Sequence, residues 1–453
     1  MEASPDLPLT TNDSADALMI VPWTSGFERS IEWTCTRAPG ASLATASQSE
    51  GGAPHAGKLT SVNAARTTFT MAKLYRSGVS LLELFMRKIL FWLHLAAGVT
   101  VGLVVMWMSL TGLLLAYEKQ IIAWFERGDF RVAATPTGTA LPLEELLRTA
   151  VKPGATVLLR ADPREPIELN MGRAGSIYLD PQSGRELGKN APGARQLFQK
   201  ITAWHRYLGQ EGPGRATAKL ITGVCNLAFL FLVLTGAYLW IPRRWTTQHL
   251  RPIVWFRGGL TGKARDFNWH NTLGVWCVVP LAIVVAGAVP ISFVWAGDLV
   301  YRIAGSQPPA PAVPPPPPSS PRPPAQVNLA GLDALVKQAK AKHDGWNIVS
   351  FRVPESEEAP VAFTVDWGTG AQPQKRGTLT LRRDGSAKWE SWEDFTAGRR
   401  ARQWLRFLHT GEALGFAGQA IAAIASGAAV VLGFTGLMLA WRRFNNWRRP
   451  RAA

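Results

Sequence analysis

The chain has 453 residues, a formal net charge of +17 and a mean hydropathy of +0.02. Much of the positive charge flanks long apolar stretches, so membrane topology explains it better than affinity for nucleic acid, which we exclude as a partner. The three cysteines are scattered and the sequence has no C-x-x-C-H motif, which argues against a disulfide framework and against a covalently attached c-type haem.

The first predicted element is an N-terminal tail, residues 1–75, rich in alanine, serine, threonine and glycine and without hydrophobic periodicity. It lacks the layout of a signal peptide. We therefore predict that the tail is disordered and assign it no function. A start at Met71 would supply a natural cytoplasmic lead into the first apolar stretch.

Four apolar stretches follow, and each is long enough to cross the hydrocarbon core of a bilayer, which takes about 20 helical residues. They lack the polar face that a soluble core helix of such length normally shows. We therefore predict transmembrane helices at residues 89–117, 219–241, 270–297 and 413–441, in contact with membrane lipid.

The basic residues beside these spans predict their orientation, because short cytoplasmic segments carry an excess of lysine and arginine. Such residues crowd the segment before the first span, the loop at 242–269 and the tail at 442–453. These segments and both termini are therefore expected in the cytoplasm. The two longer soluble regions, 118–218 and 298–412, are then external, in the periplasm of a bacterium whose inner membrane holds the protein.

Both external regions combine one helix with a small antiparallel sheet. In the first, "LPLEELLRTA" has helical leucine spacing, and "TVLLRAD", "PIELNM" and "SIYLDPQSGREL" are typical of strands. The second opens with a stiff polyproline spacer, "SQPPAPAVPPPPPSSPRPPAQ". It continues with the helical "LAGLDALVKQAKAKH" and with strands at "NIVSFRVP", "VAFTVDW" and "GTLTLRRDGSAKWESW". The predicted fold class is an α-helical membrane protein with two α+β external domains.

The order of the elements also indicates an internal duplication. In spans one and three a histidine is followed at similar distances by "LTGL" and "VAGA"; before spans two and four a histidine precedes "LTGA" and "FTGL". We therefore predict two helix–domain–helix repeats in the same orientation, related by an axis along the membrane normal. The Thr-Gly pairs in these motifs are interpreted as sites of close helix packing.

Four of the seven histidines stand at the edges of the apolar stretches. His94 and His270 open spans one and three from the cytoplasmic side, whereas His205 and His409 precede spans two and four on the outer side. Under the predicted repeat, each pair occupies equivalent positions and can meet near the axis. Two neutral imidazoles that face each other are the axial ligands of a b-type haem, so we predict two haems b, one towards each face.

The sequence around these histidines suits a flat macrocycle. Three of them are followed after four residues by a glycine, one turn along if the stretch is helical, and aromatic and arginine side chains lie nearby. We expect the glycines to admit the ring, the aromatic side chains to wall it and the arginines to pair with its propionates. The residues concerned are Gly98, Gly209, Gly274, Trp92, Trp204, Trp269, Phe407, Arg206 and Arg406.

Other interpretations of the histidines remain open. Any one of them alone is equally well explained as an interfacial residue satisfied by water. A closed zinc site is disfavoured, because it needs four ligands together. Polar segments separate His205 and His409 from spans two and four, which favours short surface helices for them and a shallow outer haem. His55, His249 and His343 have no matched partner and are interpreted as solvated.

These motifs resemble those of the PepSY-associated transmembrane family, iron-regulated membrane proteins that include siderophore-iron reductases of the bacterial inner membrane. The resemblance rests on "LHLAAG", "WHRYLG…GPGR", "LTGAYLWIPRR", "DFNWHNTLG" and "LHTGEALGFAGQ…FTGLMLAWRR", and covers about residues 85–445. It implies PepSY-like external domains, b-haem on His94, His205, His270 and His409, and electron transfer to a ferric siderophore outside. Span three departs from the pattern, with "AGA" where the other spans have Thr-Gly, and the polyproline insert and long tail look peculiar to this chain.

The sequence therefore predicts a membrane oxidoreductase that passes single electrons through two haems to an external ferric chelate, with a ferric siderophore as the best candidate. The electron donor must be a quinol or a cytoplasmic reductase, since no G-x-G-x-x-G opens a βαβ unit and no flavin-binding domain is visible. The transfer is outer-sphere, so no catalytic acid or base is expected. The alternative is a haem-free scaffold that binds peptide or regulates a periplasmic peptidase. A transporter is disfavoured, because the middles of the spans lack charged residues.

Overall fold

The structure is a computed structural model that describes residues 81–130, 141–148, 154–171, 175–189, 192–243, 245–310, 329, 331–354, 359–370, 372–382 and 384–448. The predicted tail and most of the polyproline spacer lie outside these residues. The chain divides into two compact units, which are described separately. The described part of the smaller unit holds the first helical turns up to Ile89 and most of residues 242–251. The larger unit holds the sheet and the four histidines at the edges of the spans.

The long apolar stretches form helices, as their composition predicts. The helices in chain order are α1 Leu81–Leu115, α2 Glu118–Phe130, α3 Leu143–Arg148, α4 Pro192–Tyr207, α5 Gly214–Trp240, α6 Thr247–Val254, α7 Gly262–Ser292, α8 Val294–Ile303, α9 Leu332–Lys340, α10 Ala397–His409 and α11 Gly415–Arg448. Four of them, α1, α5, α7 and α11, are long and apolar enough to cross a membrane, which confirms the four predicted spans.

The third span ends earlier than its composition indicated. The prediction ran to residue 297, but α7 stops at Ser292 and a separate helix, α8, begins at Val294. Phe293 between them has an extended backbone, with φ −121° and ψ 130°, which interrupts the helical hydrogen-bond ladder. Hydropathy alone does not show such a break, because the residues on both sides of it are apolar.

Helix α7 lies at the centre of the bundle and packs against α5, α10 and α11. Its contact with α11 is made through small residues, and Ala425 and Ala429 are almost fully buried beside Cys277 and Leu281. Small side chains let helix backbones approach closely, which is the usual basis of helix association in lipid. One buried polar bond adds to this packing: the Asn226 side-chain amide of α5 donates to a backbone carbonyl of α7 at 3.1 Å.

All the predicted strands are present, but they form one sheet rather than two. They are β1 Thr156–Arg160, β2 Ile167–Asn170, β3 Ser176–Leu179, β4 Glu186–Lys189, β5 Ile348–Arg352, β6 Val361–Asp366, β7 Arg376–Leu381 and β8 Ala387–Glu390. The antiparallel order is β4-β3-β2-β1-β5-β6-β7-β8, so the central pairing of β1 with β5 joins the strands of both external regions. The alternating burial of β1 and β5 follows from the alternation of apolar residues in their sequences.

Helices α3 and α9 cover one face of this sheet. The core between them includes Leu147, Val157, Val349 and Phe351, all almost completely buried. The Asp333 carboxylate of α9 accepts hydrogen bonds from the first backbone N–H groups of α3, at 2.8 and 3.2 Å. A helix N-terminus has unpaired N–H groups, so this cap from the other external region ties the two regions together.

The helices that carry two of the candidate histidines are tied to the strands by charged groups. Arg195 of α4 donates to the buried Glu168 carboxylate of β2 at 2.9 Å, and Glu168 also accepts from Arg160 and Ser176. In the other half of the sheet, α10 approaches β8 through a longer ion pair, 3.9 Å between a guanidinium and the Glu390 carboxylate. The sheet therefore contacts both helices, through a buried carboxylate at α4 and through an exposed ion pair at α10.

Candidate functional site

The four predicted histidines lie on four different helices. His94 is in α1 and His270 is in α7, each in the first half of a membrane span. His205 lies near the end of α4, and His409 is the last residue of α10; both helices precede a span rather than belonging to it. We call the end of the bundle at which α4 and α10 lie the sheet end.

His205 and His409 face each other at the sheet end, with ring centroids 6.4 Å apart and ring planes inclined by 41°. His205 Nδ1 lies 3.0 Å from the Thr111 hydroxyl of α1, and His409 Nδ1 donates to the Val284 carbonyl of α7 at 2.8 Å. Burial, and then the charge of His409, lowers the pKa of His205 to about 4, and burial lowers the pKa of His409. Both imidazoles are therefore neutral at pH 7, the form that ligates metals.

His94 and His270 form a second pair, nearer the other ends of the spans. His94 Nδ1 lies 2.9 Å from the Thr235 hydroxyl of α5, and His270 Nδ1 lies 3.1 Å from the Thr435 hydroxyl of α11. The two histidines lie at corresponding positions in the first halves of α1 and α7. Like the sheet-end pair, both are half-buried. Each of the four long helices therefore contributes to at least one of the two pairs.

The hydroxyl groups of the three threonines that contact histidines donate hydrogen bonds within their own helices. Their hydroxyls donate to the carbonyls of Trp107, Phe231 and Val431, at 2.9 Å from Thr111, 2.7 Å from Thr235 and 2.8 Å from Thr435. Each threonine oxygen is then free to accept, so the proton in the contact belongs to the histidine Nδ1. The Val284 carbonyl has no proton to donate, so the proton in its contact with His409 also belongs to the histidine Nδ1. All four histidines therefore keep the lone pair of Nε2 for a ligand.

A glycine next to each threonine lets the histidine ring approach the helix backbone. A Cβ added at Gly112, Gly236 or Gly436 would lie 3.3 Å from Cε1 of a histidine ring. Close packing at the Thr-Gly pairs was expected from the sequence, but the partner is a histidine rather than another helix backbone. One feature of the sequence agrees with this role. Span three lacks the threonine, and its contact with a histidine, His409, is made by a backbone carbonyl instead.

The fourth glycine of this set, Gly287, is the most crowded. An added Cβ would lie 2.5 Å from the Leu405 carbonyl oxygen of α10 and 3.1 Å from His409 Cβ. Helix α10 therefore packs directly on the backbone of α7 at this point. The position requires glycine because of the contact between the two helices, not because of its own backbone conformation.

The glycines expected one turn after their histidines have different roles. Gly98 and Gly274 are helical, and a Cβ added there would only make ordinary contact with leucine side chains, at 3.9 and 4.0 Å. Gly209, however, lies beyond the end of α4 with φ 73°, and an added Cβ would lie 2.8 Å from the Trp204 ring. The expectation that it lies one helical turn after His205 was wrong, because a left-handed turn at Leu208 and Gly209 ends α4.

The aromatic residues divide between the two ends. Trp204 packs edge-on against Trp107 of α1, with centroids 5.5 Å apart, one turn before Thr111. Trp107 was not singled out from the sequence, where it is one of several aromatic residues in an apolar run. Trp92 lies under the Arg443 guanidinium at 4.8 Å, and Trp269 packs against another aromatic ring, Phe256, at 6.2 Å.

Charged side chains lie near both histidine pairs. Arg206 and Arg406 are exposed, and each lies over an aromatic ring next to it on its own helix. One turn before His270, Asp266 is almost fully buried and forms ion pairs with Arg265 at 2.8 Å and Arg442 at 3.3 Å. This cluster links the start of α7 to the end of α11. The sequence did not indicate it, because Arg442 lies far from Asp266 along the chain.

The remaining histidines lie away from the two pairs. His249 contacts the Thr246 hydroxyl at 2.6 Å, and His343 stacks on Trp367 with centroids 4.4 Å apart. His55 lies outside the described residues. Within the described part of the chain, no group of three or more His, Cys, Asp or Glu side chains is arranged to hold a metal ion.

The fold and the site define a multi-pass helical membrane protein with an antiparallel sheet joined to one end of its bundle. The model of the PepSY-associated TM region family matches residues 91–443, which include all four histidines. The chain therefore belongs to this family. A search of curated proteins returned no match.

Proposed function

We propose that this protein is a bacterial inner-membrane electron-transfer protein that holds two haems b and reduces a periplasmic ferric chelate, a ferric siderophore, for iron release. The observation that supports this most directly is the arrangement of the four histidines. They form two pairs, and each imidazole has its Nδ1–H bound and its Nε2 available. A bound haem b would supply a one-electron couple, and each histidine pair would hold one haem iron.

The sheet-end pair fits one haem iron. A metal–imidazole bond is about 2 Å long, so two opposed imidazoles on one metal have ring centroids roughly 6 Å apart. The separation of His205 and His409 is 6.4 Å. A hydrogen-bonded Nδ1 is the usual companion of ligation through Nε2, because it fixes both the tautomer and the ring orientation. The donor set therefore suits a bis-histidine haem better than a closed zinc site, which takes four ligands.

The two pairs lie at different depths of the membrane. On α1, His94 belongs to one pair and Thr111 contacts the other, and the 17 intervening steps correspond to about 25 Å at 1.5 Å per residue. The hydrocarbon core is about 30 Å thick, so two such sites extend over most of it. Two carriers at these depths provide a route for electrons from one face of the membrane to the other.

The structure also supports a twofold plan for the bundle. His94 with Thr235 on α5 corresponds to His270 with Thr435 on α11, and the order of strands is the same on either side of the β1–β5 junction. We propose that these correspond to two parallel helix–domain–helix repeats. The basic segments favour a cytoplasmic position for both termini, and the sheet beside the sheet-end pair is then periplasmic.

The electron donor on the cytoplasmic side is a quinol or a reductase protein, and the acceptor is the ferric ion of the chelate. One electron converts Fe(III) to Fe(II), which siderophores hold far less tightly because their hard oxygen ligands favour the more highly charged ion. In this process the residues of the chain hold and orient the carriers. No side chain has to donate or accept a proton for the transfer itself.

The experiment that tests the proposal is a reduced-minus-oxidised absorption spectrum of the detergent-purified protein, with pyridine haemochrome quantification. We expect about two haems b per chain. His205→Ala and His409→Ala should each lose the same haem, and His94→Ala and His270→Ala should each lose the other. His343→Ala is the matched control, since this histidine stacks on Trp367 and should leave the haem content unchanged.

The acceptor is tested separately. Protein reduced with dithionite, freed of excess reductant under nitrogen, is mixed with a ferric siderophore and with a ferrozine trap for Fe(II). Reoxidation of the haem with a matching release of Fe(II) supports the reductase. Haem that stays reduced excludes the ferric chelate as the acceptor, but it leaves the electron-transfer role intact. A protein that stays colourless after reconstitution with haem excludes both, and favours a peptide-binding scaffold in which the edge strands β4 and β8 pair with an extended peptide.

A further inference from the structure

We infer that Thr111, Thr235, Thr435 and the Val284 carbonyl are positioning groups that fix the tautomer of the four histidines and set the redox potentials of the two haems. This inference rests on the proposed function. It concerns residues that are not ligands, and it assigns a role to the Thr-Gly pairs of the spans. Each of these four groups lies within 3.1 Å of a histidine Nδ1.

The contacts select one tautomer because the acceptors have no proton to offer. Each threonine hydroxyl donates to a carbonyl of its own helix, so its oxygen only accepts from the imidazole. An imidazole in the other tautomer would place a lone pair against that oxygen and present an N–H to the ligand position. The hydroxyl therefore decides which nitrogen is available for ligation, although it lies on the far side of the ring.

The same contacts influence the electronic character of the ligand. An acceptor on Nδ1–H makes the imidazole a stronger donor to a metal. A stronger donor stabilises the ferric over the ferrous state, which lowers the midpoint potential of the haem. Removal of one acceptor should therefore raise the potential of the haem that the histidine ligates and leave the other haem unchanged.

The four acceptors are not equivalent. His94 has the Thr235 hydroxyl, whereas His205 and His270 also lie near the carbonyls of Met108 and Leu432, one turn before their threonines. Those carbonyls can replace a lost hydroxyl in part. The loss of Thr235 should therefore have the largest effect.

In span three the acceptor for the histidine Nδ1–H is a backbone carbonyl rather than a threonine hydroxyl. In the place of the Thr-Gly pair it has Ala286 and Gly287, and His409 is held instead by the Val284 carbonyl. The sheet-end pair therefore has one side-chain acceptor and one backbone acceptor, while the His94–His270 pair has two threonines. Side-chain substitution can thus remove two acceptors from one haem but only one from the other.

The test measures midpoint potentials spectroelectrochemically in Thr111→Val, Thr235→Val, Thr435→Val and the Thr235→Val/Thr435→Val double variant. Each potential is assigned to its pair with the His→Ala variants. Valine keeps the shape of threonine and removes the hydroxyl. Thr100→Val is the control, because this exposed threonine of α1 only donates to the Ala96 carbonyl, at 2.8 Å.

We expect Thr235→Val to change the ferric-to-ferrous equilibrium of one haem about tenfold, an upward shift of about 59 mV for one electron. Thr435→Val should shift the same haem by less, the double variant by about the sum, and Thr111→Val should shift only the other haem. Thr235→Ser should restore the wild-type value, and Thr100→Val should not change it.

The outcomes separate this inference from the proposed function. Potentials that do not move at full haem content overturn the inference and leave the haem assignment intact. If Thr235→Val loses its haem, recovery in Thr235→Ser supports the role of the hydroxyl, and failure to recover contradicts it. A wild-type protein without haem overturns the proposed function and this inference together.

Discussion

Gly287 provides the sharpest test of the helix packing that holds the sheet-end histidines. In Gly287→Ala the new Cβ would lie 2.5 Å from the Leu405 carbonyl oxygen, whereas ordinary non-bonded contacts begin at about 3.5 Å. Helices α7 and α10 must therefore separate by roughly 1 Å, and overpacking of this kind costs about 1–3 kcal/mol. Since α10 carries His409, its hydrogen bond to the Val284 carbonyl, now 2.8 Å, should lengthen as well.

The matched control is Gly274→Ala on the same helix. There the added Cβ would meet only Leu432 Cδ2 at 4.0 Å, and alanine is the better helix former by about 1 kcal/mol. Equilibrium unfolding in mixed micelles of dodecylmaltoside and SDS should show Gly287→Ala less stable than wild type, and Gly274→Ala equal to it or more stable. Equal stabilities of the two variants would refute the close contact between α7 and α10 on which the site geometry depends.

Three further predictions concern the sheet and the bundle. Glu168→Gln should lower the free energy of unfolding by about 3 kcal/mol, because Arg195 and its neighbours lose a buried carboxylate partner; a loss below about 1 kcal/mol in denaturant unfolding would contradict this. Phe351→Ala should cost about 3–5 kcal/mol, since its ring is almost fully buried in the core, and a fully folded variant of wild-type stability would exclude that core. Cys225 and Cys277 are free and buried, so a maleimide should label neither until the protein is unfolded in SDS, as read by mass spectrometry.

The elements that depend on local sequence were predictable. A span is recognised from its own composition, because lipid requires an apolar surface along the whole helix. The strands are recognised from the alternation of their own residues, as in β1 and β5. The positions of the four histidines relative to the spans are likewise local facts, so their assignment to two depths needs no structure.

Breaks in helices were less predictable, because each depends on the backbone of one or two residues. Phe293 separates α7 from α8 although the flanking residues are apolar, and the left-handed turn at Leu208 and Gly209 ends α4. The short surface helices expected around His205 and His409 are α4 and α10, but their lengths were not predicted. Their polar residues find their partners only in the tertiary structure, as Arg195 of α4 finds Glu168.

The sequence by itself determined the four spans, the strands and the histidines at their edges. Only the tertiary structure decided that β1 pairs with β5 in one sheet, and that His205 approaches His409 to 6.4 Å. It alone decided which group holds each Nδ1, since His94 and His270 meet threonines 141 and 165 residues away along the chain. Local patterns specify which face of an element is apolar, whereas the partner of a polar atom is set by the packing of elements that are distant in sequence.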